Sequence, residues 1–230
     1  MDIPAKFSTI TPDLNILVKN FKWRKHPMLP ELEMLSLPSK NDNIKKQLQD
    51  AGHSWQWPYL WECGVALARW VLDHPAVVKN KVVYDLGTGQ GTVAIAAKKA
   101  GAKISIGIDC CVFSKFVVDT NSGRNGTEVI SYTRDIFNSK IGSSCVVFAS
   151  DLVYGQQTSN KILDYLAELG KTSTVVIAQS GRGNPKYEIQ HPEFHNIMEY
   201  EVPCFTPGLE TIETMPVSLW TCNPLIIKDL

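Results

Sequence analysis

The sequence predicts a doubly wound α/β fold, with a seven-stranded sheet that is mostly parallel and ends in a C-terminal antiparallel hairpin. Two observations carry that expectation. Five short apolar runs alternate with stretches of helical spacing, and the runs are nearly continuous in apolar residues rather than alternating with polar ones. A strand buried on both faces reads this way, so helices are expected on both sides of the sheet. The tail then changes character, with two strand-like runs in succession.

Taken in order, residues 1–53 carry Pro4, Pro12, Pro27, Pro30 and Pro38, which interrupt any long helix. One short helix is expected over 42–51, with Asn41 as its cap. The segment is read as an N-terminal extension packing on a main domain of residues 54–230. Residues 61–73 (WECGVALARWVLD) have apolar positions at helical spacing and end before Pro75. Strands are expected at 81–85, 104–108, 128–132, 145–149 and 174–178. Helices are expected at 91–100, 113–121 and 159–169. The terminal pair is expected at 197–205 and 214–222, joined by a turn at Pro207-Gly208.

Composition narrows the function. The 230 residues are 44% hydrophobic and 20% charged, ordinary for a chain that buries a core. Lys+Arg and Asp+Glu are equal at 23 each, which argues against nucleic acid as the main partner. The basic stretch FKWRKH (21–26) has a plain reading as a solvated surface segment before a proline. Six scattered cysteines form no CxxC pair and no cluster at metal spacing, so no metal is expected and free thiols of a reducing compartment are. No apolar run approaches the roughly 20 residues of a membrane span. The N-terminus lacks a secretory core, and it lacks the Arg-rich amphipathic helix of a mitochondrial leader, a weaker exclusion. The expected location is the cytoplasm.

The stretch VVYDLGTGQGTVAIA (82–96) places a glycine turn between a strand and a helix, where a cofactor sits at the strand's C-terminal edge. A dinucleotide loop, G-x-G-x-x-G, would need glycine at position 92, which is Thr92. The spacing is instead G-x-G-x-G over Gly87, Gly89 and Gly91, preceded by Asp85. A carboxylate there repels pyrophosphate and suits a ligand carrying an ammonium group. S-adenosylmethionine carries an α-ammonium and a sulfonium. A phosphate-binding P-loop is excluded because no Lys-Ser/Thr follows the glycines. Asp109 ends the second strand, where a carboxylate can take ribose hydroxyls. Asp135 and Ile136 follow the third, where an acid can accept from an adenine amine and an apolar residue can cover the ring. Any one of these acids could be a turn cap; three at successive strand ends beside this loop point to a cofactor.

These stretches, together with WECGVALARWVLDHP (61–75), GIDCCVFSKFVVDTNSGRNG (107–126) and ASDLVYGQ (149–156), resemble the class I (seven-β-strand, Rossmann-like) methyltransferases. Within them the chain is similar to the small protein-lysine methyltransferases that carry a D-x-x-Y element after the fourth strand. The nearest likeness is to the lysine methyltransferases of the electron-transfer flavoprotein β-subunit, with Gly181-Arg182 and Glu199-Tyr200 as further matches. The resemblance covers roughly residues 55–222. Cys145 departs from it, standing where relatives commonly open the strand with an acid, and the N-terminal segment has no match.

The resemblance implies S-adenosylmethionine as cofactor and a protein lysine as substrate. Cofactor binding falls to Trp61, Asp85, Gly87, Thr88, Gly89, Gly91, Asp109, Asp135, Ile136 and Ser150. Catalysis falls to Asp151, which would accept a hydrogen bond from the target amine, and to Tyr154 as pocket wall. For both, a turn cap and a half-buried aromatic are the plain alternatives. Trp55, Trp57, Tyr59 and Trp61 could wall the site, with core packing the preferred reading for Trp55 and Trp70. Arg182 could meet acidic groups of a substrate. No prolines shape a slot after Asp151, unlike enzymes that methylate nucleic-acid bases. Other readings are methylation of a small molecule or another protein side chain, and a catalytically silent interaction module.

Overall fold

The computed structural model describes residues 20–37, 42–50, 54–153, 156–181, 189–204 and 214–223. Asn41, Tyr154, Arg182 and the Pro207-Gly208 turn lie outside them. The described chain opens with β1 (Lys22–His26) and β2 (Leu29–Ser36), an antiparallel pair. Helix α1 (Asp42–Asp50) follows, then α2 (Glu62–Asp73), β3 (Val82–Leu86) and α3 (Thr92–Lys99). Next come β4 (Ile104–Asp109), α4 (Val112–Arg124), β5 (Ile130–Thr133), β6 (Val146–Ser150), α5 (Gln156–Gly170) and β7 (Thr174–Gln179). The last strands are β8 (His195–Pro203) and β9 (Thr214–Thr221).

Seven strands form one sheet in the order β5-β4-β3-β6-β7-β9-β8. The first five pair in parallel, and β9 inserts antiparallel between β7 and β8. The order reverses between β3 and β6, and in such sheets the ligand crevice lies at the carboxyl ends of the strands around that point.

The continuous apolar runs have the predicted cause. Val83, Val146, Phe148, Val176 and Ala178 face a cluster with Leu67, Trp70 and Val71 of α2 and with Ile95 of α3. Leu86, Val147, Ala149, Val175 and Ile177 face the other side, against Ile162, Leu163 and Leu166 of α5. Both faces are dry, so no position in β6 or β7 needs a polar residue until the strand ends.

The N-terminal part differs from its sequence reading. The FKWRKH stretch is strand β1, with His26 only 2% exposed and its Nε2 at 3.1 Å from the Pro203 carbonyl. Leu29, Leu32 and Met34 of β2 share the cluster that holds α2, and Phe21, Leu35, Ile44 and Leu48 pack with Trp57, Tyr59 and Phe113. The prolines excluded a long helix without pointing to a strand, and Pro30 sits at the second position of β2, in a two-stranded pair whose edges tolerate a missing N–H.

Candidate active site

The glycine turn closes on itself through backbone hydrogen bonds. Gly87 and Thr88 N–H donate to the Ile108 carbonyl at 2.8 and 3.1 Å, and Gly91 N–H to the Thr88 carbonyl at 2.7 Å. Gly87, Gly89 and Gly91 all have positive φ, at 68°, 51° and 84°. Gly91 is the N-cap of α3 in the left-handed region, and a Cβ there would stand 3.1 Å from Val118 of α4. The third glycine thus serves both the turn and the packing of the helix against its neighbour.

Asp109 pins this turn. Its Oδ2 accepts the Gly89 N–H and its Oδ1 the Cys111 N–H, each at 2.8 Å. Burial pushes the Asp109 carboxyl up, and the two amides oppose that shift. Asp85 is buried at 1% exposure, its Oδ2 taking the Thr88 hydroxyl at 2.6 Å and the Ala94 N–H at 3.2 Å. An amide of the first turn of α3 is therefore already spoken for by Asp85. Desolvation raises the Asp85 carboxyl to about 7, against the Thr88 and Ala94 hydrogen bonds and with a push from Asp109.

The described part of the D-x-x-Y element, Asp151 to Val153, meets the glycine loop directly. A Cβ on Gly87 would lie 2.5 Å from Leu152 Cδ2, so Leu152 packs onto the bare Gly87 backbone. Asp151 beside it has φ 55° and donates its N–H to the Ala178 carbonyl at 2.9 Å. Gln179, at the end of β7, holds the turn from beneath, with Nε2 to the Val153 carbonyl at 3.1 Å and Oε1 from the Val153 N–H at 3.3 Å. Ser150 ends β6, 3.6 Å from where a Cβ on Gly64 of α2 would lie. Trp61, just before α2, is half-buried and donates Nε1–H to the Gln56 carbonyl at 2.8 Å. Its ring meets Trp55 and Tyr59 edge-on. Trp57 and Tyr59 are buried core side chains, as is Trp70, and Lys45 lies over Trp55 at 4.4 Å from the ring centroid.

Asp135 is exposed and caps the short 3-10 turn Ile136–Asn138, accepting the Phe137 N–H at 2.9 Å. Ile136 packs against the α5 side of the core. Sequence reasoning missed three polar residues that shape the site: Gln179, Gln90 and Asn121. Gln90 Nε2 donates to the Pro58 carbonyl. Asn121 is fully buried, its Oδ1 accepting the Leu35 N–H at 2.7 Å and its Nδ2 donating to the Gln90 carbonyl at 3.0 Å. Asn121 ends its predicted helix among the polar residues Asp119, Thr120 and Ser122, so no local pattern singled it out.

A family model described as lysine methyltransferase matches residues 40–198. The chain belongs to this lysine methyltransferase family. Among its relatives, the electron transfer flavoprotein beta subunit lysine methyltransferase of Mus musculus is 30% identical over 151 residues, 64% of this chain and 59% of that protein. The Xenopus laevis protein of the same name is 24% identical over 184 residues, 78% of this chain and 74% of that one. The match thus spans less than two thirds of the mouse relative. A Streptococcus mutans structure described as a SAM-dependent methyltransferase superposes with a TM-score of 0.58 at 8% identity, covering 88% of this chain and 55% of that one. That likeness shows the fold.

S-adenosylmethionine is the cofactor of this family member, and the residues present fit it. Asp85 Oδ1 is a buried acceptor with no donor among the described residues, which suits an ammonium group. A Cβ on Gly89 would make only an ordinary contact, with the Trp57 carbonyl at 3.8 Å.

Proposed function

We propose that this chain transfers a methyl group from S-adenosylmethionine to a lysine side chain of a protein. The observation that carries the reading is the contact of Leu152 with Gly87, which sets Asp151 next to the glycine turn. A cofactor on the turn and an amine held by the D-x-x-Y element would then be neighbours.

When bound, the cofactor supplies an electrophilic methyl on sulfur, whose departure needs no acid. The protein's task is to hold the amine in line and uncharged. A free lysine is mostly ammonium at neutral pH, with a pKa near 10.4. In this reading Asp151 accepts a hydrogen bond from the amine and aims its lone pair, while the nearby sulfonium favours loss of the proton. The αL backbone at Asp151, fixed by the Ala178 carbonyl, restricts where that carboxylate can point. Trp61, Thr88, Gly91, Asp109, Asp135, Ile136 and Ser150 keep their proposed cofactor roles. Tyr154 keeps its role as pocket wall on the strength of the sequence. Residues 1–53 are proposed as an extension that helps choose the substrate, and the cytoplasm as the location.

Labelled-methyl transfer into a lysate, with mass spectrometry of the labelled band, tests this. Label on a protein lysine is the expected result. Label on RNA, on a small molecule or on another side chain would replace it. A thermal shift separates enzyme from silent module: no stabilisation at saturating S-adenosylmethionine would sink the enzyme reading.

A further inference from the structure

Strand β5 ends the sheet, and among the described residues it pairs with β4 alone. Val129 and Ser131 are buried, whereas Ile130, Tyr132 and Thr133 of the strand and the flanking Glu128 and Arg134 are exposed. Ile130 and Tyr132 are 41% and 46% exposed, unusual for large apolar side chains of this molecule. The cause is the connection to β6. It holds only the three-residue turn Ile136–Asn138, where the β3–β4, β4–β5 and β6–β7 crossovers each carry a helix. A bare apolar edge strand is a template for pairing.

The backbone limits how a second strand can join. Arg134 N–H donates to the Asp109 carbonyl at 2.8 Å, toward β4. Backbone groups alternate in direction along a strand, so Ile130, Tyr132 and Arg134 turn inward, and Ser131 and Thr133 turn outward. Only outward residues of a partner can match them. Two antiparallel copies of β5 centred on Ser131 satisfy this condition. That register sets Ile130 against Tyr132 of the other copy and Glu128 against Arg134 of the other copy, each twice. The Ile130–Tyr132 pairings fall at the closely spaced, non-hydrogen-bonded positions, where aromatic–β-branched pairs interact best, and the Glu128–Arg134 pairings flank them just beyond the strand ends. A slip by two residues in either direction places a charge opposite an apolar side chain.

We propose that β5 is a self-association edge, through which two copies of this chain pair antiparallel about Ser131. The segment is charge-complementary to itself: an acid just before the strand, a base just after it, and Ile130 and Tyr132 exposed between. Val129 N–H is already given to Ser122 Oγ at 3.0 Å, so the ladder is short and the dimer weak and concentration-dependent. The two glycine turns would open at opposite edges of the joined sheet. Nothing in this inference depends on methyl transfer.

Sedimentation velocity of the full chain, from micromolar to hundreds of micromolar, tests it. The expected result is a monomer–dimer equilibrium. Glu128→Arg or Arg134→Glu alone should weaken it by about tenfold or more, because each places like charges opposite at two positions. The double swap Glu128→Arg/Arg134→Glu should restore it, and Tyr132→Lys should abolish it. All three positions are exposed, and a circular-dichroism melt checks that each variant folds. A monomer throughout the range overturns the proposal. So does a dimer that the single swaps leave unchanged, or one that the double swap fails to restore.

Discussion

Asp85 holds the Thr88 hydroxyl on its Oδ2 at 2.6 Å, while its equally buried Oδ1 meets no donor among the described residues. Desolvation raises this carboxyl from the ordinary 3.8 to about 7 in the folded protein. Between those values the folded state binds a proton that the unfolded state lacks. The Asp85 contribution to stability is therefore fully present below pH 4, falls as pH rises toward 7, and is level above it. Asp85→Asn should remove that slope, so the difference in urea midpoint between the variant and the parent should grow from pH 5 to pH 7.

Cofactor binding should show the opposite trend. An ammonium group pairs with the ionised Asp85, so affinity for S-adenosylmethionine should tighten as pH rises to about 7 and level off beyond, by at most about tenfold per pH unit. Asp85→Asn should bind weakly and with a flatter profile. Calorimetric titration from pH 5.5 to 8 checks it, and an unchanged profile in the variant would remove Asp85 from the ammonium role.

At Asp151, asparagine is the informative substitution. The residue has φ 55°, which asparagine tolerates and alanine does not, so Asp151→Ala would mix backbone strain with lost chemistry. Asp151→Asn should leave cofactor affinity within a few-fold and slow methyl transfer on the order of 100-fold or more. Transfer at the parent rate would show that the carboxylate is not needed.

Two glycine variants should fail differently. Gly89→Ala meets only the Trp57 carbonyl at an ordinary 3.8 Å but has a positive φ of 51°, so it should fold with a loss of about 1–2 kcal/mol and bind cofactor poorly. Gly87→Ala drives its methyl into Leu152 and should displace the Asp151 turn, so that any residual activity falls further in turnover than in cofactor affinity. Steady-state kinetics beside calorimetric binding would separate the two.

Asn121 joins the N-terminal pair to the glycine turn. Asn121→Ala strands the Leu35 N–H and the Gln90 carbonyl in a dry interior, a loss of about 2–4 kcal/mol. Its melting temperature should fall by several degrees, with weaker cofactor binding because Gln90 belongs to the turn. A thermal melt with and without S-adenosylmethionine measures both.

The sheet and the cofactor loop could be read directly because their signals are local. Continuous apolar runs mark strands buried on both faces, and Gly87, Gly89 and Gly91 stand where positive φ is required. Strand limits shifted by a residue or two, as with β3 beginning at Val82, because pairing partners set where a ladder starts.

What the sequence determined by itself was the fold class, the turn and the kind of ligand that a carboxylate before it admits. What only the tertiary structure decided was contact between segments far apart in the chain. Strands β1 and β2 draw their stability from α2 and α4, so prolines and basic residues hid them. Leu152 reaches Gly87 across 65 positions of sequence, and Gln179 and Asn121 reveal their purpose only through the carbonyls they meet. Hydrogen bonds and packing of that range depend on how the strands order in the sheet, and no local pattern encodes that order.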